Sequence, residues 1–246
     1  KRQAAAPRQM AAMESLEAAR RALLDALAKA EEQAEKPENV LANLRKLQDE
    51  IRELIKQEER VMALSAQAEQ ARQRNELKEQ APVQGEVRDK TQETQQKAAK
   101  DAPKAADALA DASSQMEKSQ KALAQSKNNP DAQQSAVRDL KKAEQELSQE
   151  IARLEEKEKK LEELAKLAEK LEKVIEDQQK VQRETMREAV KQTEHSDAVK
   201  AAAKKQDSLK EQTAGLQKEA GKEAPKAAEH LQEAGKDMTE AKSDLE

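Results

Sequence analysis

The sequence contains no cysteine, tryptophan, tyrosine or phenylalanine, and it has only four glycines and six prolines in 246 residues. Without cysteine there is no disulfide framework, and the commonest zinc sites are lost. Strands draw on aromatic and β-branched residues, so their scarcity points away from sheet. No run approaches the roughly 18 apolar residues of a membrane-spanning helix. The opening KRQAAAPRQM lacks the apolar core of a signal peptide. Neither sign of charge dominates: 46 basic residues face 50 acidic ones, for a net charge of −4. Balanced, interspersed charge suits solvated helix faces better than a self-repelling tail. Direct nucleic-acid binding would want a basic stripe or stacking aromatics, and neither is present.

Alanine, glutamate, leucine, lysine and arginine make up about 62% of the chain, above the roughly 50% that marks coiled coils and long helices. The fold class is therefore all-α. Leucine, isoleucine and valine are too few for a thick globular core, so thin bundles with alanine seams are expected.

The chain repeats itself. KDAPKAADAL (Lys100 to Leu109) has a near-copy in KEAPKAAEHL (Lys222 to Leu231), 122 residues on. Leu44 to Val61 aligns with Leu164 to Val181 at a shift of 120, and Val87 to Pro103 with Leu209 to Pro225 at 122. Met116 falls on Met238 and Leu123 on Leu245; Pro7 falls on Pro130 at 123. Leu16, Ala19, Leu23 and Leu27 match Leu140, Ala143, Leu147 and Ile151 at 124. The text thus reads as two helical units, 1–123 and 124–246. Periods of this kind belong to stacked helical units.

Three breaks are expected. QAPVQGE (Gln80 to Glu86) reads as a turn through Pro82 and Gly85. SKNNPDA (Ser126 to Ala132) offers Asn129 as a cap and Pro130 as first helical residue. EHSDA (Glu194 to Ala198) offers Ser196 as a cap. Helices of about 40 to 65 residues lie between them, with 131–195 the longest and continuous, at 1.5 Å rise per residue. EKPENV should interrupt the first unit near Pro37, with Lys36 ending one helix and Glu38 and Asn39 in the next first turn. Pro103 and Pro225 either kink or restart their helices; a kink that keeps a curved helix on its bundle is the favoured expectation.

Heptad spacing supports these helices. Leu44, Leu47, Ile51, Leu54, Val61 and Ala68 follow 3,4 steps, with polar Glu58 and Ser65 on the seam. Leu140, Leu147, Leu154 and Leu161 step by seven, and the rhythm restarts in another phase at Leu164, Leu167, Leu171 and Val174. A phase reset inside one helix changes which face is buried. The segment from Asp131 to Glu194 therefore resembles the shared helix of spectrin-type repeats, in which the third helix of one three-helix unit runs on as the first of the next. That resemblance implies an elongated array of bundles. The chain departs from that family in lacking its core tryptophan and in its longer period. KQTEHSDAVKAAAKKQDSLKEQT also resembles coiled-coil regions of large bacterial proteins, and GLQKEAGKEAPKAAEHLQEAGKDM resembles late-embryogenesis-abundant desiccation proteins.

No catalytic, cofactor-binding or metal-binding residue is nominated. His195 and His230 lack the glutamate three residues earlier that a dimetal bundle uses, since Gln192 and Ala227 stand there; both are expected at an edge or in solvent. LEEKEKKLEELAKLAEKLEKV alternates sign at helical spacing, which is ion-paired helix surface. Of Met10, Met13, Met62, Met116, Met186 and Met238, those at helical spacing are read as gap-fillers rather than a peptide-binding surface, and Met116 and Met238 recur at one position and are expected in a core. Glu58 and Gln178 are expected to be exposed, or alternatively to fix helix register. The expected architecture is an elongated antiparallel coiled coil or three- or four-helix bundle. The expected role is non-enzymatic: a structural scaffold or spacer whose partners are other protein helices, further repeats or itself. A lipid-surface or stress-protective protein is the alternative.

Overall fold

The computed structural model describes residues 2–32, 37–190 and 197–245. Among them the chain is all-helical: α1 (Arg2–Glu32), α2 (Pro37–Gln70), α3 (Arg74–Ala98), α4 (Pro103–Ala124), α5 (Pro130–Val190), α6 (Asp197–Glu223) and α7 (Pro225–Leu245). α5 runs unbroken for 61 residues. The expected interruption near Pro37 and the proposed Ser196 cap touch residues 33–36 and 191–196, which lie outside the described residues; α2 does open at Pro37.

The chain packs into two compact units, one of residues 36–156 and one of residues 1–35 with 157–246. The first holds α2, α3, α4 and the first part of α5, and the second holds the rest of α5, α6, α7 and α1. Among the described residues each unit therefore contains four helical segments, and α5 is divided between the two.

Neighbours run antiparallel. In the first unit Gln84 of α3 meets Glu58 of α2, whereas Lys97 meets Glu50. Arg88 and Gln92 of α3 bond Gln120 and Ser113 of α4. Arg45, Arg52 and Glu59 of α2 pair with Glu155, Glu144 and Lys141 of α5. In the second unit Lys170 and Glu184 of α5 pair with Glu219 and Lys205 of α6. α7 meets α6 through Lys242 and Asp207 and meets α1 through Glu240 and Arg8. Arg20 of α1 reaches Glu172 of α5. Nearly all these pairs are solvent-exposed, so each contributes at most about 1 kcal/mol. Apolar burial holds the units together.

Three sequence expectations need correction. Pro82 and Gly85 do not make a turn: both lie inside α3. Leu77, Ala81, Gln84 and Val87 are buried at helical spacing, and Pro82 faces solvent. The chain turns instead at Ala71–Gln73, where Arg72 takes φ 55°. Gln73 N–H bonds the Ala68 carbonyl and Arg72 N–H bonds that of Glu69, which is a Schellman motif. Ser126, at φ 56°, closes α4 in the same way through Ala122 and Leu123. The signal missed at Arg72 is hidden because an arginine stands where glycine is usual.

Pro103 and Pro225 restart helices rather than kink them. Each opens the second arm of an antiparallel hairpin, α3–α4 or α6–α7. A proline at the first helical position loses no intrahelical bond. The facing arms are alanine-rich, with Ala105, Ala108 and Ala112 at 1% exposure or less, and small side chains let backbones approach closely. Finally, the helices other than α5 span 21 to 34 residues, not 40 to 65.

Asn129 and Pro130 behave as read: the Asn129 side-chain oxygen accepts from Ala132 N–H at 3.2 Å, and Pro130 opens α5.

Glycine placement gives one prediction. A methyl group at Gly85 would sit 2.5 Å from Gln120 Nε2, whereas Gly215 and Gly235 have open space around them. Both lie inside helices. Gly215→Ala and Gly235→Ala are each expected to raise stability by about 1 kcal/mol through helix propensity, read as an increase in the urea midpoint.

Candidate functional site

The chemically distinctive groups are polar side chains buried in the two cores. Buried positions of α2 recur in the second part of α5 at a shift of 120: Leu44, Leu47, Ile51, Leu54, Glu58, Val61 and Ser65 against Leu164, Leu167, Leu171, Val174, Gln178, Val181 and Thr185. α3 and α6 match at 122 from Leu77 and Val199 to Ala98 and Ala220. α4 and α7 match at 122 in Ala105, Leu109, Ala112, Met116 and Leu123 against Ala227, Leu231, Ala234, Met238 and Leu245. The first part of α5 and α1 match at 124 in Gln133, Ala136, Leu140, Ala143 and Leu147 against Gln9, Ala12, Leu16, Ala19 and Leu23.

At these matched positions each unit buries a set of polar side chains, its polar layer. In the first, Gln84 Nε2 donates to Glu58 Oε2 at 2.6 Å, and the Ser119 hydroxyl donates to Gln84 Oε1 at 3.1 Å. Gln133 Nε2 donates to the Ser65 hydroxyl at 3.3 Å. In the second, Gln206 Nε2 donates to Gln178 Oε1 at 2.9 Å, and Gln178 Nε2 returns a bond to Gln206 Oε1 at 3.4 Å. Gln9 Nε2 reaches both Thr185 Oγ1, at 3.1 Å, and Gln206 Oε1, at 3.3 Å. Glu58 and Gln178 are 0% exposed. The first expectation for them, exposure, is thus overturned: seam position outweighed polarity, because facing amides and a hydroxyl supply partners.

Glu58 is the layer's one ionisable member. Its Oε1 has no hydrogen-bond partner. Burial pushes its carboxyl up to about 7, partly offset by the Gln84 amide, which favours the charged form. Glu58 is thus held largely protonated below neutrality, and nothing nucleophilic or basic lies against it among the bonds described.

The other singled-out residues take ordinary roles. His230 lies at an edge, 3.4 Å from Glu233 of its own helix; His195 is outside the described residues. Met116 and Met238 are fully buried, and the Thr91 and Thr213 hydroxyls lie 3.6 Å from their sulfurs. Met10 and Met186 are exposed; Met13 packs against the second core, and Met62 is half-buried. Lys-Lys pairs stand at 141–142, 159–160 and 204–205, and lysines of each face acids: Lys141–Glu59, Lys159–Glu163, Lys160–Glu223 and Lys205–Glu184. Among the described residues no group of three or more histidine or acidic side chains converges as a metal site, and no helix is long and apolar enough to cross a membrane.

Comparison of the chain with family models, curated proteins and solved structures finds no match.

Proposed function

We propose that the chain is a non-enzymatic structural protein: a tandem pair of one four-helix unit, joined through α5, that serves as a scaffold or spacer and offers its outer helical faces to other protein helices. One observation carries this reading. The correspondence between the units runs through buried positions of all four helices and includes Glu58, Ser65, Gln84 and Gln133 against Gln178, Thr185, Gln206 and Gln9. Two buried positions depart from it: Gly85, beneath Gln120, corresponds to Asp207 paired with Lys242, and Ser119 corresponds to Ala241. What is kept twice is a core. Within each unit the buried polar side chains bond one another rather than converge on a cleft, as register-setting groups do. Passage of α5 from one unit into the next is the feature shared with spectrin-type arrays, here with four helices in each unit.

Hydrogen exchange along the chain, in buffer and with anionic vesicles, tests this reading. Helices whose apolar faces are already packed on one another should be protected in both conditions, whereas a lipid-surface or desiccation-type protein would gain protection only on a surface or on drying.

A further inference from the structure

In its unit, α1 is the fourth helix. Ala5, Gln9, Ala12, Leu16 and Ala19 are 0% exposed, and Leu23 is 2% exposed. These side chains fill a groove between α7 and the second part of α5, with Gln9 bonded to Thr185 and Gln206 at its floor. Arg8 and Arg20 pair with Glu240 and Glu172 along its rims.

The equivalent helix of the other unit, the first part of α5, is joined to α4, one of the helices it packs on, by residues 125–129 alone. α1 differs. Its chain connection to the three helices it packs on runs through residues 33–156, the whole of the other unit. Closing so long a loop in an unfolded chain lowers the effective concentration of α1 at its groove by roughly a hundredfold relative to a five-residue connection. Among the described helices, this groove is where an intermolecular competitor suffers least by comparison.

We propose that the groove of α5, α6 and α7 also accepts α1 from a second copy of this chain, so that copies exchange α1 helices. This rests on the reading that the partners are protein helices, and it names one of them. An exchanged α1 makes the same contacts in trans that it makes in cis, so no new surface has to be built. The recognition set is specific: an apolar ridge of Ala12, Leu16, Ala19 and Leu23, the Gln9 amide aligned with Gln206, and two arginines facing two glutamates.

The absence of cysteine makes a clean test. Arg8→Cys and Glu240→Cys alter an exposed pair, 2.8 Å apart, and leave the core untouched. Two full-length chains, one carrying R8C and one E240C, are unfolded together in urea. They are refolded at about 1 µM and about 200 µM, both below the millimolar effective concentrations of short tethers, and treated with a short bismaleimide. A covalent heterodimer linked between positions 8 and 240 is expected, with a share at least tenfold greater at the higher concentration. A heterodimer no more abundant than the 8–8 and 240–240 products at both concentrations would overturn the proposal. The double variant R8C/E240C serves as control and should link within one chain. If that link forms and the heterodimer does not, exchange fails alone and the structural reading stands. If neither forms, the packing of α1 fails and both fall.

Discussion

Glu58→Gln is expected to stabilise the protein at pH 8 by roughly 3 kcal/mol and to leave its stability at pH 4.5 nearly unchanged. The reasoning is linkage. Glu58 has an ordinary value of 4.5 in the unfolded chain and is raised to about 7 in the fold. Below 4.5 the group is protonated in both states and adds no charge penalty. Between 4.5 and 7 the unfolded chain ionises while the folded one does not, so stability falls as pH rises. Above 7 both states are ionised and the loss levels off at about 1.4 kcal/mol for each pKa unit. E58Q removes this titration and recreates the amide pairing that Gln178 and Gln206 make in the other unit. Urea midpoints at pH 4.5, 6 and 8 check it. The wild type should lose stability relative to E58Q across that window. A constant difference over the three pH values, or a variant weaker at pH 8, would contradict the account of Glu58.

Leu16→Ala and Leu140→Ala should each lower stability by about 3 kcal/mol, within the 2–5 kcal/mol that large-to-small core changes cause. Both leucines are 0% exposed and occupy matched positions, one in α1 and one in the first part of α5. Their surroundings correspond as well: Ala12 and Ala19 flank one, Ala136 and Ala143 the other. Equal losses are what an α1 fully integrated into its core requires. If L16A costs less than about 1 kcal/mol while L140A costs about 3, α1 is a loosely docked helix. Urea unfolding followed by circular dichroism reads both.

The sequence made the helical class, the long α5 and the paired positions legible because these depend on composition and spacing. Asn129 and Pro130 could be read because a cap and a first-turn proline act locally. Other features depend on what the helix packs against. Pro82 and Gly85 looked like a turn, yet Leu77, Ala81, Gln84 and Val87 gain more from burial than the proline loses on its exposed face. Pro103 was compatible with a kink or a restart, and the kink favoured from the sequence is not what forms; the hairpin follows from Gln92 meeting Ser113 and Thr91 meeting Met116. Glu58 and Gln178 were visible as seam positions, and their burial could not be inferred without knowing that Gln84 and Gln206 face them. Their matched spacing was the available signal: a polar residue at both seams, opposite a glutamine at both facing positions.

The central claim is that the apolar faces of these helices are already packed on one another, in two cores. Hydrogen exchange measured peptide by peptide tests it most directly. The account predicts slow exchange in dilute buffer across the buried stretches of α1 to α7, with α1 protected as strongly as the first part of α5 and no change on adding anionic vesicles. Complete exchange within seconds in buffer, or protection that develops only with vesicles, would contradict it.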